Sequence, residues 1–391
     1  MDYTCISADC HIDINWLPHD LFVSNATAAM KDRLPVVTDG PDGPRWITKT
    51  GVYLGLANGK GSKGALGGLG GKRYVAGRDH RRDRIASTGL YVDGSQGIFR
   101  PTTPLLRIKD QERDGIQAEV LYGLLGSGNA MTDNDAVVEL YRIYNDWLYD
   151  FCSYDRKRFV GLASIPSHTV EAAVAETHRV AKLGLGGLDV AVLFGMIPLW
   201  DPYWDPLWQA AAEVNLAVHF HTIGPPPEVA ARKDLPEEFK MAGFATRKAG
   251  FQLYMATILA TMIHGGALER HPGLHIVLGE SGIGWLPYVL DRMDYEFEDR
   301  FRNDLLYMKL KPSEYWRRQC HATFQNDRIG AKLLDDIGIE TVMWGSDYPH
   351  ADTVFPDSQE FIQRQFSHLP DAIQRKVICE NAGKFYRLIS G

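Results

Sequence analysis

The sequence predicts an α/β fold, a (β/α)8 or TIM barrel, in a single domain that spans residues 1–391. Short runs of apolar and β-branched residues alternate with longer segments whose apolar residues recur at helical spacing, the pattern of βα units around a parallel sheet. Eight such runs can be counted, the number of strands in this barrel. A chain of 391 residues that is 45% hydrophobic can bury the core that the fold needs.

The predicted strands are short and spread over the whole chain. In order they are TCISA (4–8), AEVLY (118–122), VGLASI (160–165), GLDVAVL (187–193), LAVHFH (216–221), LHIVLG (274–279), HATFQ (321–325) and ETVMWG (340–345). Helical periodicity is clearest at 135–152, 170–184, 204–214 and 283–300, and in a long segment that ends in GGALERHP.

A long insertion, residues 30–105, separates the first predicted strand from the second. It contains the glycine-rich segment GLANGKGSKGALGGLGGKR (55–73). No GKS or GKT follows, and neither a preceding strand nor a following helix frames it, so a phosphate-binding loop is not supported. We expect a flexible loop here, within an insertion that forms a lid or an oligomer contact.

Composition excludes several classes of partner. The formal charge of −7, from 42 basic and 49 acidic residues, does not predict a polyanion-binding surface, so we expect no nucleic acid. The N-terminus lacks the pattern of a signal peptide, and the longest apolar run, near VAVLFGMIPLW, is too short to cross a bilayer. Five scattered cysteines without CxxC spacing indicate reduced thiols. A cytoplasmic protein without a membrane partner is expected.

Ionisable side chains gather at the C-terminal ends of the predicted strands, where the functional residues of TIM barrels lie. They are Asp9 and His11 after strand one, His219 and His221 at strand five, Glu280 after strand six and Asp347 after strand eight. Each alone has another explanation, a hydrogen-bonded core histidine or an aspartate that begins a turn. At four different strand ends together, they would be costly to bury without a common purpose.

These residue types indicate a divalent metal ion. Imidazole and carboxylate together suit zinc, manganese or iron(II), and a catalytic site needs three or four ligands and an open position. Residues two apart on a strand share a face, so Asp9 and His11 can point together into the barrel mouth, as can His219 and His221. The sequence therefore predicts a metal-dependent enzyme with a small-molecule substrate.

Six segments together resemble the amidohydrolase superfamily, in the branch of aminocarboxymuconate-semialdehyde decarboxylase, almost from end to end. They are SADCHID, YNDWLYDFC, RFVGLASIP, DPLWQAAAEVNLAVHFHTIG, ALERHPGLHIVLGESGIGWLPYVLDRMD and MWGSDYPHAD. The resemblance implies four metal ligands, Asp9, His11, His221 and Asp347. They would hold one divalent ion, for which zinc is preferred and manganese is the alternative. By the same analogy the protein forms a homodimer.

Two departures from the family pattern bear on the chemistry. The common HxH of strand one is replaced by Asp9-Cys10-His11, which resembles the ExH of hydroxybenzoate decarboxylases in the same branch. Glu280 stands where many relatives have a histidine, so it could be a ligand, a general base or a substrate contact. A nearby cation lowers a carboxyl pKa, which favours the base over the acid. The segment after strand four offers no lysine for a second metal.

The remaining candidates are histidines. His350, three residues after Asp347, would orient substrate or shuttle a proton, or alternatively stabilise a loop. His219 would support the ligands from behind, or is a packed core residue. We include Glu280, Asp347, His350 and His219 as candidate catalytic residues.

Two reactions remain open at this point. In the first, a small aromatic or muconate-like acid loses CO₂ without oxidation, and an acid among Glu280, His219 and His350 protonates the carbon. In the second, metal-bound water hydrolyses an amide, ester, lactone or activated carbon–carbon bond, with Glu280 or Asp347 as the base.

Overall fold

The computed structural model describes residues 2–41, 43–59, 76–77, 80–192, 195–222 and 236–389. Its strands are β1 Ile6–His11, β2 Val36–Thr38, β3 Arg45–Ile47, β4 Tyr53–Leu56, β5 Ala118–Tyr122, β6 Phe159–Ser164, β7 Gly187–Asp189, β8 Val218–His221, β9 Ile276–Gly279, β10 Cys320–Phe324 and β11 Val342–Trp344.

The helices lie between the strands and after the last one. They are α1 Leu21–Asn25, α2 His80–Ser87, α3 Leu90–Ser95, α4 Pro104–Asp114, α5 Asn134–Ser153, α6 Val170–Leu183, α7 Asp205–Glu213, α8 Glu237–Gly250, α9 Tyr254–His264, α10 Ala267–Arg270, α11 Leu286–Glu296, α12 Pro312–Gln319, α13 Leu334–Ile337, α14 Ser358–Phe366, α15 Asp371–Arg375 and α16 Asn381–Phe385.

Eight parallel strands form the barrel in the order β1-β5-β6-β7-β8-β9-β10-β11. Each of the eight predicted strands coincides with one of them, so the predicted (β/α)8 barrel is confirmed. Main-chain hydrogen bonds close it between its first and last strands: the Asp347 N–H donates to the Asp9 carbonyl at 2.8 Å, and the His11 N–H donates to the Tyr348 carbonyl at 2.7 Å. Gly345 permits this approach, because a Cβ there would lie 2.5 Å from the Asp9 Cβ.

A β-bulge in β1 decides which side chains enter the barrel. The pairing register of β1 with β5 shifts between Ser7 and Cys10. Ala8 belongs to the cluster that fills the barrel interior, whereas Cys10 packs in the layer between sheet and helices. In a regular strand, neighbouring residues face opposite sides, so Ala8 and Asp9 could not both face inward. The extra residue of the bulge allows this, and Asp9 and His11 therefore point into the barrel together with Ala8.

The insertion has regular structure that the sequence analysis missed. Strands β2, β3 and β4 form a separate antiparallel sheet, and the buried Trp46 anchors it by donating its indole N–H to the Ile14 carbonyl at 2.8 Å. These strands have only three or four residues each, too few for a clear alternating pattern. Most of the glycine-rich loop prediction, residues 60–73, lies outside the described residues.

Two further expectations concern the chain as a whole. All five cysteines are free and buried, in agreement with the prediction of reduced thiols. Among the described helices, none has both the length and the apolar character that crossing a membrane requires.

The buried Asp114 carboxylate caps helix α14 from the far end of α4. It accepts the Ser358 N–H at 2.9 Å and the Ser358 hydroxyl at 2.5 Å. We expect Asp114→Ala to lower the free energy of unfolding by about 2 kcal/mol, since two buried donors lose their acceptor. Asp114→Asn retains an acceptor oxygen and should cost less. Urea unfolding at pH 7 measures both, and equal midpoints for the two variants would contradict this account.

The same carboxyl gives the fold a defined dependence on pH. Burial raises the pKa of Asp114 to about 7, above its value in an unfolded chain. The folded protein therefore holds a proton that the unfolded chain releases, and this contribution to stability is lost as the pH rises through 7. Relative to Asp114→Asn, the native protein should lose about 2.6 kcal/mol of unfolding free energy between pH 5 and pH 8.

Candidate metal centre

The structure brings five of the predicted site residues together at the barrel mouth. The Nε2 atom of His11 lies 3.2 Å from Asp9 Oδ1 and 3.0 Å from Asp347 Oδ1. The Nε2 atom of His221 lies 3.7 Å from Asp9 Oδ1 and 3.7 Å from Glu280 Oε2. All five residues are buried. The convergence of strand ends that the sequence analysis expected is therefore present.

The atoms that face one another in this cluster have no hydrogen-bond partner. They are Asp9 Oδ1, His11 Nε2, His221 Nε2 and Asp347 Oδ2. Unpartnered polar atoms are rare in buried positions, and these are ligand atoms that a divalent ion prefers. One such atom each from Asp9, His11 and His221 lies within 4.8 Å of the others. The donor set therefore fits a metal ion.

Hydrogen bonds behind the cluster orient its members toward this point. The Thr323 hydroxyl and the Glu280 N–H donate to Asp9 Oδ2 at 2.5 and 2.7 Å, which leaves Oδ1 free to face the histidines. His221 Nδ1 lies 3.2 Å from the Thr222 carbonyl; because a carbonyl can only accept, we assign the proton to Nδ1 and the free electron pair to Nε2. Thr323 was missed by the sequence analysis, since a threonine in an apolar strand is common.

Two of the site residues have a left-handed backbone. Glu280 has φ 48° and Asp347 has φ 61°, conformations that are uncommon outside glycine and that aspartate tolerates better than glutamate. Glu280 directly follows β9, and Asp347 comes three residues after the end of β11. In both places the turn directs the side chain into the mouth of the barrel. Such strain is typical of functional sites.

His350 lies beside the candidate ligands and contacts two carboxylates. Its Nδ1 is 2.9 Å from Asp347 Oδ1, and its Nε2 is 2.9 Å from Asp13 Oδ2. The ring stacks on His11 with 3.8 Å between centroids. Burial opposes the charged form, but Asp347 and Asp13 outweigh it, so the pKa of His350 is raised. Both roles expected for His350 remain available, since it holds a loop and touches the site.

His219 lies one layer below His221, inside the barrel. Its Nε2 is 2.9 Å from the Tyr386 hydroxyl, and its Nδ1 is 3.1 Å from the Ala217 carbonyl. Burial lowers the pKa of His219 to about 4, so the ring is neutral at pH 7. These partners are not candidate ligands, so they support the alternative of a packed core histidine over that of a residue that supports the ligands from behind.

Electrostatics sort the carboxyl groups of the site into two kinds. Burial opposes ionisation of Asp9 and Asp347, but the neighbouring histidines outweigh it and lower both pKa values. Burial raises the pKa of Glu280 well above its usual value, and the charges of Asp347 and Asp352 raise it further. This direction is opposite to the lowering that the sequence analysis expected from a nearby cation.

Arg107 on α4 supports the site from behind, although nothing in the sequence pattern indicated it. The side chain is fully buried. It donates to the His11 carbonyl at 2.9 Å and to Glu119 Oε2 at 2.6 Å, and its guanidinium carbon lies 5.0 Å from the centre of the Tyr348 ring. One guanidinium therefore contacts both strand ends that close the barrel.

Two more side chains of the inner layer were missed. The Tyr122 ring lies 4.9 Å from the His221 ring centre, and Gly279 makes room for it, since a Cβ there would fall 2.8 Å from the Tyr122 hydroxyl oxygen. Asp189 ends β7, and burial raises its pKa to about 6. The Tyr122 hydroxyl and Asp189 Oδ1 are buried without a hydrogen-bond partner, so the floor of the site is polar.

We expect Arg107→Met to destabilise the fold by about 3 to 5 kcal/mol, because the Glu119 carboxylate is then buried without its partner. Adding Glu119→Gln to this variant should recover part of the loss, since the buried charge is removed. Urea unfolding of the single and double variants measures the difference. A single variant within about 0.5 kcal/mol of the native protein would show that the ion pair is unimportant.

The chain is similar in sequence and fold to several known proteins. A curated relative, the 2-amino-3-carboxymuconate-6-semialdehyde decarboxylase of Dictyostelium discoideum, is 25% identical over 248 residues, which are 63% of this chain and 66% of the relative. The match thus spans about two thirds of that protein.

Two solved structures share the fold. The 5-carboxyvanillate decarboxylase of Sphingomonas paucimobilis is 27% identical with a TM-score of 0.61, over 72% of this chain and 82% of that one. A variant of the enzyme of that name from Novosphingobium aromaticivorans, with bound manganese and 3-methoxy-4-hydroxy-5-nitrobenzoic acid, is 20% identical with a TM-score of 0.68, over 98% and 97%. A sequence profile of the family described as Amidohydrolase matches residues 91–388, well over half of the chain. This protein therefore belongs to the amidohydrolase family.

Proposed function

We propose that this protein is a metal-dependent decarboxylase that removes CO₂ from a small aromatic or muconate-like carboxylate. The observation that carries the proposal is the cluster of unpartnered ligand atoms of Asp9, His11, His221 and Asp347 beside the buried carboxyl of Glu280. The decarboxylases among its relatives, whose names describe small carboxylate substrates, support the reaction class.

Asp9, His11, His221 and Asp347 would hold one divalent ion. When bound, the ion acts as a Lewis acid that neutralises and orients oxygen atoms of the substrate. Two imidazoles with two carboxylates suit both zinc and manganese, and manganese is the ion in one structural neighbour. Zinc, preferred from the sequence, stays a prediction, as do the homodimer and the cytoplasmic location.

Glu280 is the proposed proton donor. The bond between the substrate ring carbon and its carboxyl group breaks, the electron pair stays on the carbon, and the carbon takes the proton of the Glu280 carboxyl as CO₂ leaves. Glu280 and His221 are each only 6% exposed, so little water competes for the developing carbanion. His350, between Asp347 and Asp13, orients Asp347. His219, hydrogen-bonded to Tyr386, stays a candidate without a proposed step.

We expect His221→Ala and Asp347→Asn to lose bound metal. Asparagine tolerates the left-handed backbone at position 347, so Asp347→Asn tests the carboxylate without adding strain. Divalent metal affinity should fall at least about 10-fold in each variant, as measured by elemental analysis after dialysis. His368→Ala, at an exposed position, is the control and should keep its metal. Full metal content in either site variant would contradict the ligand assignment.

The reaction itself is tested with hydroxybenzoates, muconates and aryl amides. We expect CO₂ release without oxygen from solvent water, and one deuterium on the product carbon in D₂O. Glu280→Gln should keep its metal and lower kcat by about 100-fold or more, whereas Glu340→Gln, on the surface, should not. Release of free acid or amine with solvent oxygen incorporated would instead establish the hydrolase.

A further inference from the structure

An ion pair at the rim of the mouth is not used by the proposed reaction. Lys248, near the end of α8, places its Nζ 2.6 Å from Asp352 Oδ2, in the loop after β11. The ammonium also lies 4.5 Å from the centre of the Phe251 ring. Arg81 of the insertion donates to the Asp352 carbonyl at 3.3 Å. Elements from three parts of the chain therefore meet at Asp352.

This pair adjoins the metal centre. One carboxylate oxygen each from Glu280, Asp347 and Asp352 lies within 4.8 Å of the others. Lys248 is thus separated from the candidate ligand Asp347 by a single carboxylate.

The charges at the mouth pose a problem for an anionic substrate. A divalent ion would be balanced by Asp9 and Asp347, and Asp13, Asp352 and Glu280 add further carboxyl groups around it. A carboxylate that enters this surrounding is repelled unless a cation receives it. Lys248 is a permanent cation at the rim, and its flexible four-carbon chain can change partners.

We propose that Lys248 is a specificity-determining residue that receives a second carboxylate of the substrate, so that the site takes aromatic dicarboxylates. The metal end holds the carboxylate that is lost, and the second carboxylate replaces Asp352 as the partner of Lys248. Phe251, against which the ammonium packs, gives this position an apolar wall for the substrate ring. The inference rests on the proposed function and narrows its substrate class.

The alternative is that Lys248 and Asp352 only tie α8 to the loop after β11. Their side chains are 46% and 25% exposed, and pairs at such exposure contribute little to stability. If the ion pair has only this structural role, its removal should change the order of α8 and of the loop. It should not change the relative affinity of the protein for different small acids. The two possibilities therefore differ in ligand preference.

Calorimetry on the metal-loaded full-length protein tests the proposal with two probes, benzene-1,3-dicarboxylate and benzoate. The native protein should bind the dicarboxylate at least about 10-fold more tightly, the effect of one charge-assisted hydrogen bond. Lys248→Met should abolish this preference and leave benzoate binding within about 2-fold. Lys248→Arg should restore most of it, because the charge is kept. Equal or undetectable binding of both probes by the native protein overturns the proposal, as does a preference that survives Lys248→Met.

A matched control is Lys309→Met, which removes an exposed lysine paired with Glu269 at 3.1 Å, outside the site, and should change neither affinity. When the enzyme decarboxylates a dicarboxylate substrate, Lys248→Met should raise the KM for that substrate while kcat changes little. Binding needs no turnover, so the two proposals fail separately. Absence of CO₂ release with a Lys248-dependent preference refutes only the decarboxylase, and CO₂ release without that preference refutes only the role of Lys248.

Discussion

The pairing of the first barrel strand with the last is the interaction on which the rest of this structure depends. Two main-chain hydrogen bonds, from Asp347 to Asp9 and from His11 to Tyr348, join segments that are more than 300 residues apart in the sequence. Bringing two segments so far apart in the sequence together costs chain entropy. The packing of the strands and helices that lie between them must offset this cost. The same bonds place three candidate ligands side by side, so folding and site assembly are one event.

The fold and the candidate ligands could be predicted because their signals are local. A strand can be recognised from the pattern of a few neighbouring residues. Each candidate ligand follows or ends a predicted strand: Asp9, His11, His221 and Asp347. Arg107 and Thr323 could not be found in this way, because their importance lies in contacts with residues far along the chain. The direction of the pKa shift of Glu280 could not be predicted for a related reason, and its catalytic role stays a prediction.

The expectation for Glu280 considered one neighbour, a cation, whereas in the structure burial and the charges of Asp347 and Asp352 raise the pKa of this carboxyl. Asp9 and Asp347 are also buried, but the neighbouring histidines outweigh burial and lower both pKa values. The balance between burial and neighbouring charges therefore shifts the pKa of Glu280 in the opposite direction from the pKa values of Asp9 and Asp347. The sequence specifies this difference only through its fold, since Asp9 lies in β1, Glu280 follows β9 and Asp347 follows β11.

The bulge in β1 has a consequence for how this protein tolerates change over evolution. One extra residue between Ser7 and Cys10 sets the facing of everything that follows on the strand. A codon lost there would turn Asp9 or His11 away from the mouth even if both residues were retained. Point substitutions at the rim, by contrast, leave the register intact. In this chain, substitutions around the mouth therefore preserve the facing of Asp9 and His11, whereas an insertion or deletion within β1 does not.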